Sequence, residues 1–149
     1  ASVGPMDPEA QPKAPGMKYR HYAPKADMTI IRGDQDQVIE TICDKAERAL
    51  QRGKKVGIVC TEESLSVYEE RLQSAMTSAK AGEDDALHLA VIGSRRDPST
   101  IAHNLFDVLR SFDGLRVDRI YSESFEGGQL GDAIMNRLKK AAGYHIVDV

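Results

Sequence analysis

The sequence predicts an α/β protein, a three-layer, doubly wound, Rossmann-like domain built on a mainly parallel five-stranded sheet. Three observations carry this. Short apolar runs alternate with amphipathic segments of helical period, strand-to-strand intervals are close to 30 residues, and runs such as Val56–Cys60 are apolar almost throughout. A strand buried on both faces of a parallel sheet has that texture, and the spacing suits successive crossovers.

Met28-Thr29-Ile30-Ile31 forms the first strand and ends at Gly33. Asp34, with Gln37 three residues on, has the form of a helix N-cap and capping box. Val38, Ile39, Ile42, Ala46, Ala49 and Leu50 then recur at helical spacing until Gly53. Val56-Gly57-Ile58-Val59-Cys60 is the second strand, and Thr61 is placed to cap a second helix carrying Leu65, Tyr68 and Leu72. Ser74 to Asp85 reads as a helix tail and surface loop. The third strand is Leu87–Ile92; Asp97-Pro98 then supplies a cap followed by proline at the first helical position. Ile101, Ala102, Leu105, Phe106, Leu109 and Phe112 line the next helix, with Gly114 as its stop. Arg119–Ser122 is the fourth strand, Gly127–Gly131 opens the last helix, which runs to Gly143, and His145-Ile146-Val147 is the fifth strand. The default strand order has one switch point near the first strand.

At 149 residues the chain has the size of one domain. No apolar run approaches the roughly 20 residues of a membrane span, and no secretory leader pattern opens the chain, so a cytoplasmic location and no membrane partner are expected. Cys43 and Cys60 read as small buried hydrophobes rather than a disulfide framework or metal site. The net charge of −3 divides unevenly. Residues 1–25 carry four Lys or Arg against two Asp or Glu, a sum of +2; the remaining 124 carry 16 against 21, a sum of −5. A net-acidic body argues against broad nonspecific nucleic-acid binding, which needs a basic face.

Five of the six prolines lie between Pro5 and Pro24, so residues 1–26 read as an extended linker, mobile in isolation, ahead of an α/β domain spanning 27–149. Within the linker, Lys18, Tyr19, Arg20, His21 and Tyr22 combine permanent cations, two phenols and an imidazole. Such side chains can hold phosphate or bicarbonate, transfer a proton near neutral pH, or stack on a base; tyrosines that merely pin a linker to the domain explain the composition equally well. Two weaker anion-binding candidates lie at strand ends. Ser94 and Arg95 follow the third strand, and Gly127, Gly128 and Gly131 open the last helix, with Asn136 and Arg137 further along it. Solvated charge and a tight glycine turn explain them without a ligand. Glu62, Glu63, Asp84 and Asp85 read as solvated charges, and His88 and His103 as partnered core or surface residues; no catalytic constellation or metal-ligand spacing is present.

Pro15-Gly16-Met17-Lys18-Tyr19-Arg20-His21-Tyr22-Ala23-Pro24 resembles the interdomain linker of two-domain L-threonylcarbamoyladenylate synthases, the Sua-five branch of the YrdC family. The closing stretch, Gly131 with Ala133–Leu138 and Lys140–Gly143, is similar to the end of the same family's C-terminal domain. The resemblance implies a linker plus C-terminal domain from an enzyme that condenses L-threonine, bicarbonate and ATP, with magnesium, into threonylcarbamoyl-AMP and pyrophosphate, the donor for adenosine 37 of tRNA. It places catalysis in an N-terminal YrdC-like domain acting in cis. It makes residues 18–22 a substrate-contacting lid, and it implies that this fragment alone binds no cofactor and is inactive. Ala26-Asp27 stands where the family more usually has Ala-Pro. Other readings from the residues are a nucleotide- or anion-binding module and a tRNA- or protein-docking domain.

Overall fold

The computed structural model describes residues 22–77 and 86–149. Five strands, β1 (Asp27–Arg32), β2 (Val56–Cys60), β3 (Leu87–Val91), β4 (Arg119–Ser122) and β5 (Ile146–Asp148), form one all-parallel sheet in the order β3-β2-β4-β1-β5. The helices are α1 (Gln35–Gln51), α2 (Leu65–Arg71), α3 (Gln73–Thr77), α4 (Pro98–Leu115) and α5 (Gly128–Ala141). The α/β class and the parallel sheet are as the alternation predicts. Strand order is not the default one, because β4 inserts between β1 and β2. Its alternation explains the place: Ile120 enters one core and Tyr121 the other, as a central strand covered on both faces requires.

The two cores define the layers. On one face, Val38, Ile42, Ala46 and Leu50 of α1, with Tyr68 of α2, pack on Ile31, Val56 and Ile58. On the other, Ile101, Leu105, Leu109 and Phe112 of α4 and Ile134, Met135 and Leu138 of α5 pack on Met28, Ile30, Val59 and Ile120. The chain crosses the sheet in one direction through β1, β2 and β3 and returns through β4 and β5, so a single hand of crossover puts the early and late helices on opposite faces. At Gly57 the Phe112 ring of α4 packs directly on the sheet. A Cβ there would lie 2.4 Å from Cε1 of Phe112, so the absent side chain is the space into which the ring fits.

Several local expectations change. Asp34 is the N-cap of α1, but its carboxylate makes no capping bond, and the neighbouring Gln35 is the residue that turns inward. Thr61 does not cap α2; it starts a turn whose carbonyl accepts from the N–H groups of Ser64 and Leu65, and Ser64 is the N-cap. The Asp97 carboxylate does cap α4, accepting from the Ser99 N–H, with Pro98 leading the helix. Gly114 lies inside α4, which ends instead at Arg116 in the left-handed conformation, φ 59°. β5 is shifted one residue, with Ile146 opposite Ile30. Cys43 and Cys60 are free and buried, as expected. His88 Nε2 is buried without a partner among the described residues, where a partnered imidazole was expected.

Candidate functional site

The carboxyl ends of β1 and β2 flank that of β4, and the helix leaving β4 lies on the opposite face from those leaving its neighbours. Crevices of this kind are where open α/β sheets hold ligands. Here the crevice is filled by Glu123, the first residue beyond β4, whose side chain has no solvent exposure. Its Oε1 accepts from Gln35 Nε2 at 3.1 Å and Arg95 Nη2 at 2.8 Å; its Oε2 accepts from the hydroxyls of Ser64 and Tyr68, both at 2.7 Å. Two bonds per oxygen use the lone-pair capacity of a carboxylate. Burial first, and then the Glu123 charge and the bond to it, push the Tyr68 phenol far above its ordinary range, so Tyr68 is a fixed donor rather than an acid or base. Ser64 is buried and its proton is committed to Glu123, so this hydroxyl is not placed as a nucleophile.

Arg95 extends the network outward. The same Nη2 donates to the Ser124 carbonyl at 3.0 Å, the guanidinium lies 4.7 Å from the centroid of the Phe125 ring, and Nε is buried without a partner among the described residues. The backbone N–H of Arg95 and the Ser94 hydroxyl both donate to Glu63, whose carboxyl is held down at about 2, chiefly by the Arg95 N–H and then by Ser94. Glu63, expected to be a solvated charge, thus clamps the loop after β3. Beside Arg95 is a cavity of about 60 Å³ lined also by Pro98, Ile101, Phe125, Gly127, Gly131 and Ile134. Gly127 (φ 109°) and Gly128 (φ 73°) form the turn into α5 that closes it. The structure therefore gathers Arg95, Gly127 and Gly131 around one notch, with Ser94 and Gly128 adjoining it. Asn136 and Arg137 are exposed, eight and nine residues along α5 from Gly128, roughly 12 Å of helix away, and do not join it. The notch has room for one or two waters, far below the several hundred Å³ of a nucleotide pocket.

The second cluster lies at the other end of the sheet, where the linker meets the domain. Lys18, Tyr19, Arg20 and His21 lie outside the described residues. Tyr22 donates its phenol to the Asp113 carboxylate in the last turns of α4, and the backbone N–H of Lys25 donates to the same carboxylate at 3.0 Å. Burial, then the bond to Asp113, raises the Tyr22 phenol to about 12. Tyr22 and Ala26 also pack against the α4 and α5 core, and Pro24 is buried. The end of the linker, residues 22–26, is thus held against the domain, and Tyr22 is pinned to it.

Residues 2–143 match the family described as threonylcarbamoyl-AMP synthase, C-terminal domain. The chain belongs to this family. Among curated relatives, the Bacillus subtilis threonylcarbamoyl-AMP synthase is 38% identical over 99% of the chain and 39% of its own length. The Pyrococcus abyssi enzyme of the same name is 38% identical over 92% of the chain and 34% of its own. The chain therefore spans little more than a third of the length of these synthases. Among solved structures, Pyrococcus abyssi Sua5 complexed with L-threonine is similar with a TM-score of 0.66 at 36% identity, covering 93% of this chain and 34% of that one. The C-terminal Sua5 domain of a Pyrococcus horikoshii protein gives a TM-score of 0.57 at 29% identity over 85% of this chain and all of that one. The threonylcarbamoyl-AMP synthase resemblance of the linker and tail thus extends over nearly the whole chain.

Sequence reasoning missed Glu123 and its donors Gln35, Ser64 and Tyr68. The available signal was Ser122-Glu123-Ser124, three polar residues set between an apolar strand and Phe125.

Proposed function

We propose that this chain is the accessory C-terminal domain, with its active-site linker in residues 1–26, of an enzyme that forms threonylcarbamoyl-AMP and pyrophosphate from L-threonine, bicarbonate and ATP in the cytoplasm. The product serves as threonylcarbamoyl donor for adenosine 37 of tRNA, and the fragment alone is inactive. The observation that carries this reading is a family match over 142 residues that accounts for only about a third of each relative. No helix among the described residues is long and apolar enough to cross a membrane.

The crevice at the carboxyl end of the sheet does not fit ATP, and the described residues do not fit magnesium. No group of three or more His, Cys, Asp or Glu among them could hold a metal, the Glu123 carboxylate has its bonds filled from within the domain, and the neighbouring notch is too small for a nucleotide. In this reading ATP, magnesium and L-threonine bind an N-terminal YrdC-like domain in cis. In this reading Tyr22, tied to Asp113, is the fixed foot of the linker, and Lys18, Tyr19, Arg20 and His21 reach over the partner pocket, where closure would exclude water from a labile carbamoyl intermediate.

The test is pyrophosphate release from L-threonine, bicarbonate and ATP by this chain and by its full-length parent. The expected result is no turnover by the chain, turnover by the parent, and a loss of kcat in Lys18→Ala and Arg20→Ala parents that remain folded. Turnover by the chain alone would overturn the assignment of catalysis to another domain, and unchanged kcat in both variants would overturn the lid.

A further inference from the structure

At the amino end of the sheet, on the α1 face, a cleft of about 210 Å³ is lined by Lys45, Arg48, Ala49, Arg52, Lys54, Arg119 and Tyr121. Five cations around one cavity are unexpected in a body whose net charge is −5. Cations in the last turn of a helix are ordinarily explained by its dipole, and that accounts for Arg48 and Arg52. It does not account for Lys45, a turn earlier, nor for Lys54 from the loop before β2 and Arg119 from the start of β4, which come to the same cavity from other elements. Among the described residues Lys45, Arg48, Arg52 and Lys54 make no ion pair, while Arg119 is partly neutralised by Asp27 at 3.3 Å. The floor is Tyr121, a phenol raised above its ordinary value by burial even though Arg119 and Arg52 pull it down, hence a neutral donor facing the cations.

Lys45, Arg48 and Arg52 follow one another at intervals of three and four, so they form a single stripe, which rises about 10 Å along α1. A lone phosphate cannot span that length; a run of phosphates can. We propose that this cleft binds consecutive phosphate groups, from a free polyphosphate or from the ribose–phosphate backbone of RNA. Arg48 and Arg52 hold the oxyanions from the α1 side, Arg119 and Lys54 from the sheet side, and the Tyr121 hydroxyl donates from the floor. The site is independent of the carboxyl-end notch and does not depend on the synthase reading.

The whole 149-residue chain is titrated at low and moderate salt with inorganic tripolyphosphate, followed by amide NMR shifts, and with an unmodified tRNA transcript, followed by anisotropy. Binding of tripolyphosphate alone identifies free polyphosphate as the source; tRNA binding that tripolyphosphate displaces identifies the RNA backbone. In either case Arg48→Gln/Arg52→Gln weakens binding tenfold or more and, for RNA, flattens the salt dependence by about 1–2 in log–log slope. Both positions are exposed, and unchanged near-ultraviolet circular dichroism verifies the fold. Arg96→Gln, at the opposite end of the sheet, leaves binding unaltered. Absence of binding by both probes at low salt, or binding that the double variant leaves intact, as it would if the basic linker were responsible, overturns the proposal.

Discussion

The Tyr68 hydroxyl donates to Glu123 Oε2 at 2.7 Å across the seam between α2 and β4, with neither side chain exposed to solvent. A buried carboxylate is tolerable only while its bonds are made, and removing a partner exposes the cost. Tyr68→Phe is expected to destabilise the domain by about 1–3 kcal/mol in urea denaturation. Glu123→Gln should cost more, because it leaves the Arg95 guanidinium beside a neutral amide and turns the new NH2 group towards one of the two donor pairs, Gln35 with Arg95 or Ser64 with Tyr68. Should Glu123→Gln prove the milder of the two, the carboxylate is not what holds this end of the sheet together.

Gly57 sits beneath the Phe112 ring, and the contact is steric rather than conformational. Gly57→Ala is expected to cost about 1–3 kcal/mol through overpacking. Combining it with Phe112→Leu should recover part of that loss, since the smaller side chain vacates the space. A strictly additive double variant would mean that the two positions do not compete for it.

The Tyr22–Asp113 bond links the end of the linker to α4 and carries its own pH signature. The phenol ionises at about 12 in the folded chain against an ordinary 10.0, so the protonated form is favoured by folding. Its contribution is complete below pH 10 and is lost as pH rises towards 12. The melting temperature of Tyr22→Phe should accordingly lie below the parent's at pH 8 and converge with it in strong base. In Asp113→Asn the Tyr22 phenol should titrate closer to 10, followed by ultraviolet difference spectra.

Glu63 has the opposite sign. Its carboxyl is lowered from 4.5 to about 2 by the Arg95 N–H and the Ser94 hydroxyl, so what it contributes is present above pH 4.5 and disappears as pH falls towards 2. Carboxyl NMR titration should place its midpoint well below those of the other glutamates. The gap in melting temperature between the parent and Glu63→Gln should narrow on acidification from pH 6 to pH 3. A midpoint near 4.5 would show the loop clamp to be absent in solution.

Elements were readable wherever period and punctuation agreed. The run Val56–Cys60, the Asp97-Pro98 helix start and the glycines at 127 and 128 each state their local structure through nearest neighbours. Strand order was not, because what centres β4 is the pairing of Ile120 and Tyr121 with two separate cores, a property of the whole sheet. The same limit hid the buried network. Gln35, Ser64, Tyr68, Arg95 and Glu123 lie up to 88 residues apart, and each taken singly is an ordinary polar residue near a strand end. In the basic cleft, the 45, 48, 52 spacing was visible on α1, whereas Arg119 joins it only through the β2–β4 pairing. The notch candidates show the converse: Asn136 and Arg137 are close to the glycine turn in sequence, and the helix carries them away from it.

Placing β4 between β1 and β2 also sets the sequence of assembly. Both neighbours of β1 come from residues beyond 118, so the first strand has no partner until most of the chain exists. During synthesis β2 and β3 can pair early, while β1 with its apolar Met28, Ile30 and Ile31 must wait for β4 to arrive and separate it from β2. Closing that sheet demands long loops before any reward, which slows folding. A ribosome-bound chain halted within α4 would thus hold β1 as an unclaimed strand, giving holdase chaperones a reason to attend to the front of this domain until its last thirty residues have emerged.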